Sequence, residues 1–199
     1  MNLTVLAASG RTGLALTREA LRRGHTVTAI ARDPGRIAVP DSARLHKVAG
    51  DVEDPASIIL AGSTVLSGLG TDRAGVLLAG AKAVVAAAPS RIIWLGAYGT
   101  GKSAEVAGTA AGALASMLGD RLGDKIEADE TILAAGGTVF HAGLLTDGPE
   151  SPGRRTVGLE SGPPLDFAAV ISRATVAAAM LDEAETPRFP GTIALPLPD

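Results

Sequence analysis

Cysteine is absent from this chain of 199 residues, which excludes a disulfide framework and any thiol chemistry. Aromatic residues make up only 3%, a composition for close-packed layers rather than for an aromatic-rich binding surface. No apolar run reaches membrane-spanning length, because Lys82 and Arg91 interrupt the best candidates. No cationic segment leads into an apolar one near the start, so no signal peptide is expected and the expected location is the cytoplasm. Net charge is only −3, too small to imply a nucleic-acid partner; neither nucleic acid nor membrane is an expected partner.

What is present is a chain 46% apolar, with 25 glycines and many alanines. Its length suits one domain with a sizeable core, expected to span residues 1–199 with small C-terminal elements on the substrate side. Residues 1–100 hold 11 basic and 7 acidic side chains, and the remainder hold 7 and 14. A basic first half suits an anionic cofactor.

Leu3 to Ala8 is a short apolar run of the kind that forms a buried parallel strand. It breaks into Ser9-Gly10-Arg11-Thr12-Gly13. An amphipathic segment follows, with Leu14, Thr17, Ala20 and Leu21 on one face and Arg18, Arg22 and Arg23 on the other. Gly24 stops the helix, and His25 to Ala31 forms a second strand. The result is a βαβ unit with a glycine turn at the strand-to-helix junction. Such a turn aims free backbone N–H groups and the positive helix end at a phosphate, and a pyrophosphate-bearing dinucleotide is its usual occupant. The rhythm is Ala7, Gly10, Gly13. Gly10 lets the backbone approach the pyrophosphate, Gly13 lets the helix pack closely on the strand, and Ala7 can stand first only with a negative φ.

Past the second strand comes Ala31-Arg32-Asp33-Pro34, where a dinucleotide fold meets the adenosine ribose. An acidic residue there would accept from the 2′-hydroxyl of NAD, whereas Arg32 would pair with the 2′-phosphate of NADP, with Arg11 as a second contact. Asp33 stands one place too late for the NAD role unless the loop shifts. NADP is therefore the expected cofactor and NAD the alternative.

Arg44 to Gly50 and Ser63 to Leu69 continue as the third and fourth strands. Between them Asp51 and Val52 either line the adenine pocket or, for Asp51, cap a turn. Gly70, between Leu69 and Thr71, permits close backbone approach to a ligand. Ala74 to Ala88 is a buried helix, Arg91 to Leu95 a fifth strand, and Ala104 to Leu118 and Leu122 to Ala135 are helices. The last is expected to turn Glu127, Asp129 and Glu130 outward and Ile126, Ile132 and Leu133 inward. Thr138 to Ala142 is a sixth strand, with His141 facing either core or pocket. Arg154 to Glu160 and Ala169 to Ser172 are short strands, Arg173 to Glu185 is a helix, and Thr192 to Leu195 is an edge strand bounded by Pro190 and Pro196. Strands alternating with helices imply an α/β fold, a doubly wound parallel sheet of the Rossmann kind in a single domain.

Two local patterns compete with this account. Gly96-Ala-Tyr-Gly-Thr-Gly-Lys-Ser103 matches the phosphate-binding loop pattern GxxxxGK[ST] and, taken alone, predicts a nucleoside triphosphatase. Its late position and the lack of a convincing strand ending in a magnesium-binding Asp argue against that. Tyr98 and Lys102 have the Tyr-x-x-x-Lys spacing of short-chain dehydrogenases. Gly99 and Gly101 fall between them, so the pair is not assigned a catalytic role, and no catalytic residue or metal ligand is assigned.

Taken together, five blocks resemble the atypical short-chain dehydrogenase/reductases, including NmrA-like proteins, NADH-flavin reductases and biliverdin reductase B. They are Ala7-Ala-Ser-Gly-Arg-Thr-Gly13, Ala31-Arg-Asp-Pro34, Ala49-Gly-Asp-Val52, Thr138 to Gly143 with Leu145 to Pro149, and Val170 to Ala177. The blocks run in order across nearly the whole chain. The resemblance implies an NAD(P)-binding Rossmann fold. It also implies cofactor contacts at Ser9, Gly10, Arg11, Thr12 and Gly13, with Ala8 beside them. Further contacts fall at Arg32, Asp51, Val52, Gly70 and Thr71, with Leu69 adjacent. Tyr98 and His141 are the substrate-pocket candidates. The chain departs from the pattern at Ala7, where the family has glycine. Gly96 and Ala97 stand where relatives often have Ser, His141 where they have Arg, and Thr175 where they have Asp. The expected activity is NAD(P)H-dependent reduction of a small acceptor such as a flavin or quinone. The alternative is a non-catalytic NAD(P)-binding redox sensor.

Overall fold

A computed structural model describes residues 1–198. Its first strand, β1 (Asn2–Leu6), is buried from Leu3 onward, because the apolar run is covered on both faces. Helix α1 (Arg11–Arg22) buries Leu16, Thr17 and Ala20 against it, and Gly24, at φ +85°, turns the chain into β2 (Thr26–Ala31). Then follow β3 (Leu45–Ala49), β4 (Thr64–Ser67), α2 (Val76–Ala86), β5 (Arg91–Ala97), α3 (Ala104–Ala107), α4 (Ala110–Leu118) and α5 (Arg121–Ala134). The chain closes with β6 (Thr138–Ala142), β7 (Leu144–Thr146), β8 (Arg154–Gly158), β9 (Val170–Ser172), α6 (Arg173–Glu185) and β10 (Ile193–Pro198).

Eight strands form one sheet in the order β3-β2-β1-β4-β5-β6-β10-β8, parallel except for β8. This is the doubly wound Rossmann order, reversing direction between β1 and β4. Helices α1 and α6 cover one face, packing Leu16, Val176 and Met180 over Leu3, Val5 and Phe140. Helices α2 and α5 cover the other, packing Leu77 and Ile132 over Leu6, Val65 and Trp94. The small strands β7 and β9 pair apart from the main sheet.

Three expectations change. The segment from Thr192 is not an edge: β10 lies between β6 and β8, and the antiparallel β8 forms the edge. Its prolines are tolerated because pairing with β6 ends at Ala194, so Pro196 and Pro198 fall where only β8 is bonded. The helix expected over Ala104–Leu118 is two short helices, broken at Gly108, which adopts φ +70°. Asp129 faces inward rather than outward and is 6% exposed.

Helix α2 shows how tertiary structure completes a terminus that its own sequence leaves open. Gly75 caps it without a side chain, and the Asp124 carboxylate of α5 accepts from the N–H groups of Leu77 (3.2 Å) and Leu78 (2.9 Å) instead. Among the described residues no helix is long and apolar enough to cross a membrane.

Candidate functional site

The C-terminal ends of β1, β2, β3 and β4 open into a cleft of about 250 Å³. This is where an open α/β sheet binds ligands, at the reversal of strand order. At its centre the chain leaves β1, and the Gly10 N–H donates to the Ala7 carbonyl at 2.9 Å. Gly10 then caps α1 with no side-chain hydrogen bond, so the N–H groups of the first helical turn remain for a ligand. A Cβ on Gly13 would lie 2.2 Å from the Ala7 carbonyl oxygen, so only glycine lets α1 pack this closely on β1. Gly68, at the end of β4, closes in from the other side: a Cβ there would meet the Gly13 nitrogen at 3.0 Å.

Ala7 does not meet the condition of a negative φ. It adopts φ +54°, the left-handed conformation that the family's glycine takes freely. The turn is imposed on alanine by the hydrogen bonds on either side, Gly10 N–H to Ala7 and Ala8 N–H to Ile30, both 2.9 Å. A left-handed non-glycine residue costs about 1–2 kcal/mol, and glycine returns part of that through unfolded-chain entropy. Ala7→Gly is therefore expected to stabilise the fold by about 0.5–1 kcal/mol and raise Tm by roughly 1–4 °C. Thermal unfolding tests this; a lower Tm would mean that the Ala7 methyl packs usefully.

The anticipated residues fall into three groups. Ser9, Gly10, Arg32, Asp51, Val52, Leu69, Gly70 and Thr71 all line this cleft. Ala8, Thr12 and Gly13 lie beneath it and shape the turn; all three are buried. Arg11 points elsewhere, to Asp147 at 3.3 Å, and Arg173 holds the same carboxylate at 2.9 Å. Arg11 and Arg32 are therefore not brought together. Asp51 both caps and lines: its Oδ1 accepts from the Glu53 N–H at 3.0 Å while it stays on the cleft wall. Asp33, the candidate ribose acceptor for NAD, accepts from the Gly35 N–H at 2.9 Å and caps the turn at Pro34–Arg36. Glu53 and Arg73, neither singled out from the sequence, pair at 2.8 Å on the rim.

A second cleft of about 210 Å³ lies on the same edge of the sheet, at the ends of β5, β6 and β10. Its walls are mostly apolar, with Leu165, Ile171 and Leu195 beside Tyr98 and His141. The Tyr98 hydroxyl donates to the Pro163 carbonyl, and burial pushes its pKa up, so it stays protonated at neutral pH. His141 is 2% exposed and satisfied on both sides: Nδ1 to Ser103 Oγ at 2.7 Å and Nε2 to Asp129 Oδ2 at 3.0 Å. It is thus both a core histidine and part of a pocket wall.

The segment matching the phosphate-binding loop pattern forms no such loop. Gly96 lies within β5, and the Ser103 hydroxyl is fully buried among Gly99, Thr100 and His141. Gly99 and Gly101, at φ +98° and +51°, also keep Tyr98 and Lys102 off a common helix.

A family model described as NAD(P)H-binding matches residues 7–187. Among solved structures, a candidate exported protein from Burkholderia pseudomallei is 27% identical, with a TM-score of 0.78 over 98% of both chains. A short-chain dehydrogenase/reductase from Veillonella parvula in complex with NADP is 20% identical, with a TM-score of 0.78 over 98% of this chain and 93% of that one. An anaerobillin reductase from Escherichia coli O157:H7 is 17% identical, with a TM-score of 0.74 over 99% and 97%.

Proposed function

The chain belongs to the NAD(P)H-binding family, and we propose that it is a reductase that takes NADPH and passes hydride to a flavin or quinone-like acceptor in the apolar cleft. Family membership makes it an NAD(P)H-binding protein; reductase activity, the choice of NADP and the class of acceptor are the proposal, supported by the reductase-like fold neighbours. The observation that carries it is the pairing of two unlike clefts on one sheet edge. The β1–β4 cleft is framed by a glycine turn and Arg32, and the β5–β6–β10 cleft by apolar side chains.

The residues present fit a nicotinamide dinucleotide. The uncapped start of α1 offers backbone donors where a pyrophosphate would approach, and Gly13 and Gly68, beneath the cleft, let that helix start sit close on the ends of β1 and β4. Arg32 would pair with a 2′-phosphate, while Val52 and Leu69 give the cleft its apolar lining. When bound, the nicotinamide supplies the hydride. The chain's part is to orient and to exclude water, through Tyr98, Leu165 and Ile171 around the acceptor cleft. Hydride brings a flavin both electrons and one hydrogen, and the single proton that completes its reduction can come from water, so the reaction does not require the Ser-Tyr-Lys set that this chain lacks.

Steady-state oxidation of NADPH in the presence of FMN or a simple quinone tests the reading. Saturable turnover with either is the expected result. Tight NADPH binding without turnover would favour the sensor, in which a partner protein replaces the acceptor.

A further inference from the structure

Three buried polar side chains run from α5 through β6 to the loop after β5. Asp129 is 6% exposed, His141 2% and Ser103 0%. Asp129 Oδ2 accepts from His141 Nε2 at 3.0 Å, so in the neutral ring Nδ1 is left to accept from the Ser103 hydroxyl at 2.7 Å. Ser103 Oγ in turn accepts from the Gly99 N–H at 2.9 Å and stands 2.9 Å from the Thr100 carbonyl. The chain of bonds thus ends on the backbone of Tyr98–Thr100, the loop that carries the Tyr98 wall of the acceptor cleft.

Backbone bonds hold both sides of Gly99, from the Tyr98 N–H to the Ala142 carbonyl at 2.9 Å and from the Thr100 N–H to the Ala97 carbonyl at 3.3 Å, whereas the Gly99 N–H depends on the Ser103 hydroxyl. Gly99 is at φ +98°, and the segment leaves the sheet directly after β5. Polar groups buried this deeply are costly unless every one is bonded, which makes a fully bonded chain a source of rigidity. Space for the chain is built into the sheet. A Cβ on Gly96 would lie 2.8 Å from both Asp129 Oδ2 and His141 Cδ2, so the imidazole and carboxylate occupy the volume a larger residue would need. Gly96 and His141 are therefore sterically linked.

We propose that Asp129, His141 and Ser103 form a positioning relay that holds the Tyr98–Thr100 loop, and with it one wall of the acceptor cleft, in the geometry for hydride transfer. The relay offers the acceptor no free polar atom: His141 lines the cleft, but both its ring nitrogens are engaged inside the protein, and Ser103 and Asp129 lie outside the lining. This role rests on the reductase reading above, although the hydrogen-bond chain can be tested without turnover.

The experiment compares the wild type with Ser103→Ala, His141→Phe and His141→Gln. Glutamine can donate to Asp129 and accept from Ser103, so it preserves the chain that phenylalanine cuts. With FMN as acceptor, Ser103→Ala and His141→Phe should each lower kcat/KM roughly five-fold or more. NADPH affinity by fluorescence titration should stay within about two-fold, because the cofactor cleft lies at the other strands. His141→Gln should recover most of the loss. Hydrogen exchange at the Gly99 amide gives the second readout: about ten-fold faster in Ser103→Ala and in His141→Phe, and near wild type in His141→Gln. If the wild type reduces no acceptor, the function proposal fails, and Gly99 exchange still decides whether the relay holds the loop. Unchanged exchange in Ser103→Ala, or a glutamine variant as impaired as phenylalanine, overturns the relay. Should His141→Phe fail to fold, Ser103→Ala carries the test.

Discussion

Gly13→Val should abolish measurable NADPH binding and sharply lower thermal stability. The reason is steric and local. The first atom of any side chain at this position would lie 2.2 Å from the Ala7 carbonyl oxygen and 2.7 Å from the Ala7 carbonyl carbon and Ala8 Cα. All three are backbone atoms, so no rotamer change relieves the contact. They cannot retreat either, because Ala8 is anchored to β2 through its N–H bond to Ile30 at 2.9 Å. Helix α1 must move off β1. Overpacking of this kind costs about 1–3 kcal/mol where side chains can adjust, and the upper end or more is expected here. Each kcal/mol lowers Tm by roughly 2–4 °C in a chain of this size. Moving α1 also moves the uncapped N–H groups that would meet the pyrophosphate, so NADPH affinity should fall at least about 100-fold, or 2.8 kcal/mol. Gly112→Ala is the control: it sits in α4 with open space around it and should leave binding unchanged. Circular dichroism checks that the valine variant is folded, and fluorescence titration measures binding. Wild-type affinity in a folded Gly13→Val would remove the glycine turn from the cofactor site.

Arg32→Ala should weaken NADPH binding roughly ten-fold or more while leaving NADH nearly unchanged. The two cofactors differ only in the 2′-phosphate, and Arg32 is the basic residue at the end of β2 on the cleft wall. A guanidinium forks onto phosphate oxygens through charge-assisted bonds worth about 1.5–3 kcal/mol each where well formed. Arg32 is exposed, so the lower end applies, about 1.4 kcal/mol for ten-fold. The rival groups are engaged elsewhere, Arg11 with Asp147 and Asp33 with the Gly35 N–H. Salt should reduce the preference, because screening weakens exposed pairs. Titration of both cofactors into both proteins at two ionic strengths decides the matter. Equal affinities in the wild type, or equal losses in the variant, would mean that another residue reads the ribose.

The βαβ unit that opens the chain is legible because its determinants are local. Leu3 to Ala8, the glycine turn and the amphipathic helix are contiguous, and each needs only its neighbours to declare its geometry. Even there one rule failed: Ala7 takes a conformation that an isolated alanine avoids, because bonds to Gly10 and from Ala8 to Ile30 outweigh its preference. The surroundings of the second, apolar cleft are less legible because their determinants are distant. Asp129 reads as solvent-facing on an acidic helix, and it turns inward because His141, on the neighbouring strand, supplies the partner that makes burial affordable. Ser103 reads as the end of a phosphate-binding pattern, yet its hydroxyl is enclosed in the core.

By itself, then, the sequence determined the alternation of strands and helices, the glycine turn that opens the cleft at the ends of β1 to β4, and the basic residue at the end of the second strand. These follow from apolar periodicity, from the missing Cβ of glycine and from chain continuity, all short-range properties. Only the tertiary structure decided that β10 lies inside the sheet with β8 at its edge, that Arg11 turns to Asp147, and that Asp124 caps α2 from another helix. It alone brings Asp129, His141 and Ser103 together beside the apolar cleft. Each of these depends on a partner from a distant element, and a polar or charged residue takes its final place only where packing supplies the group that satisfies it.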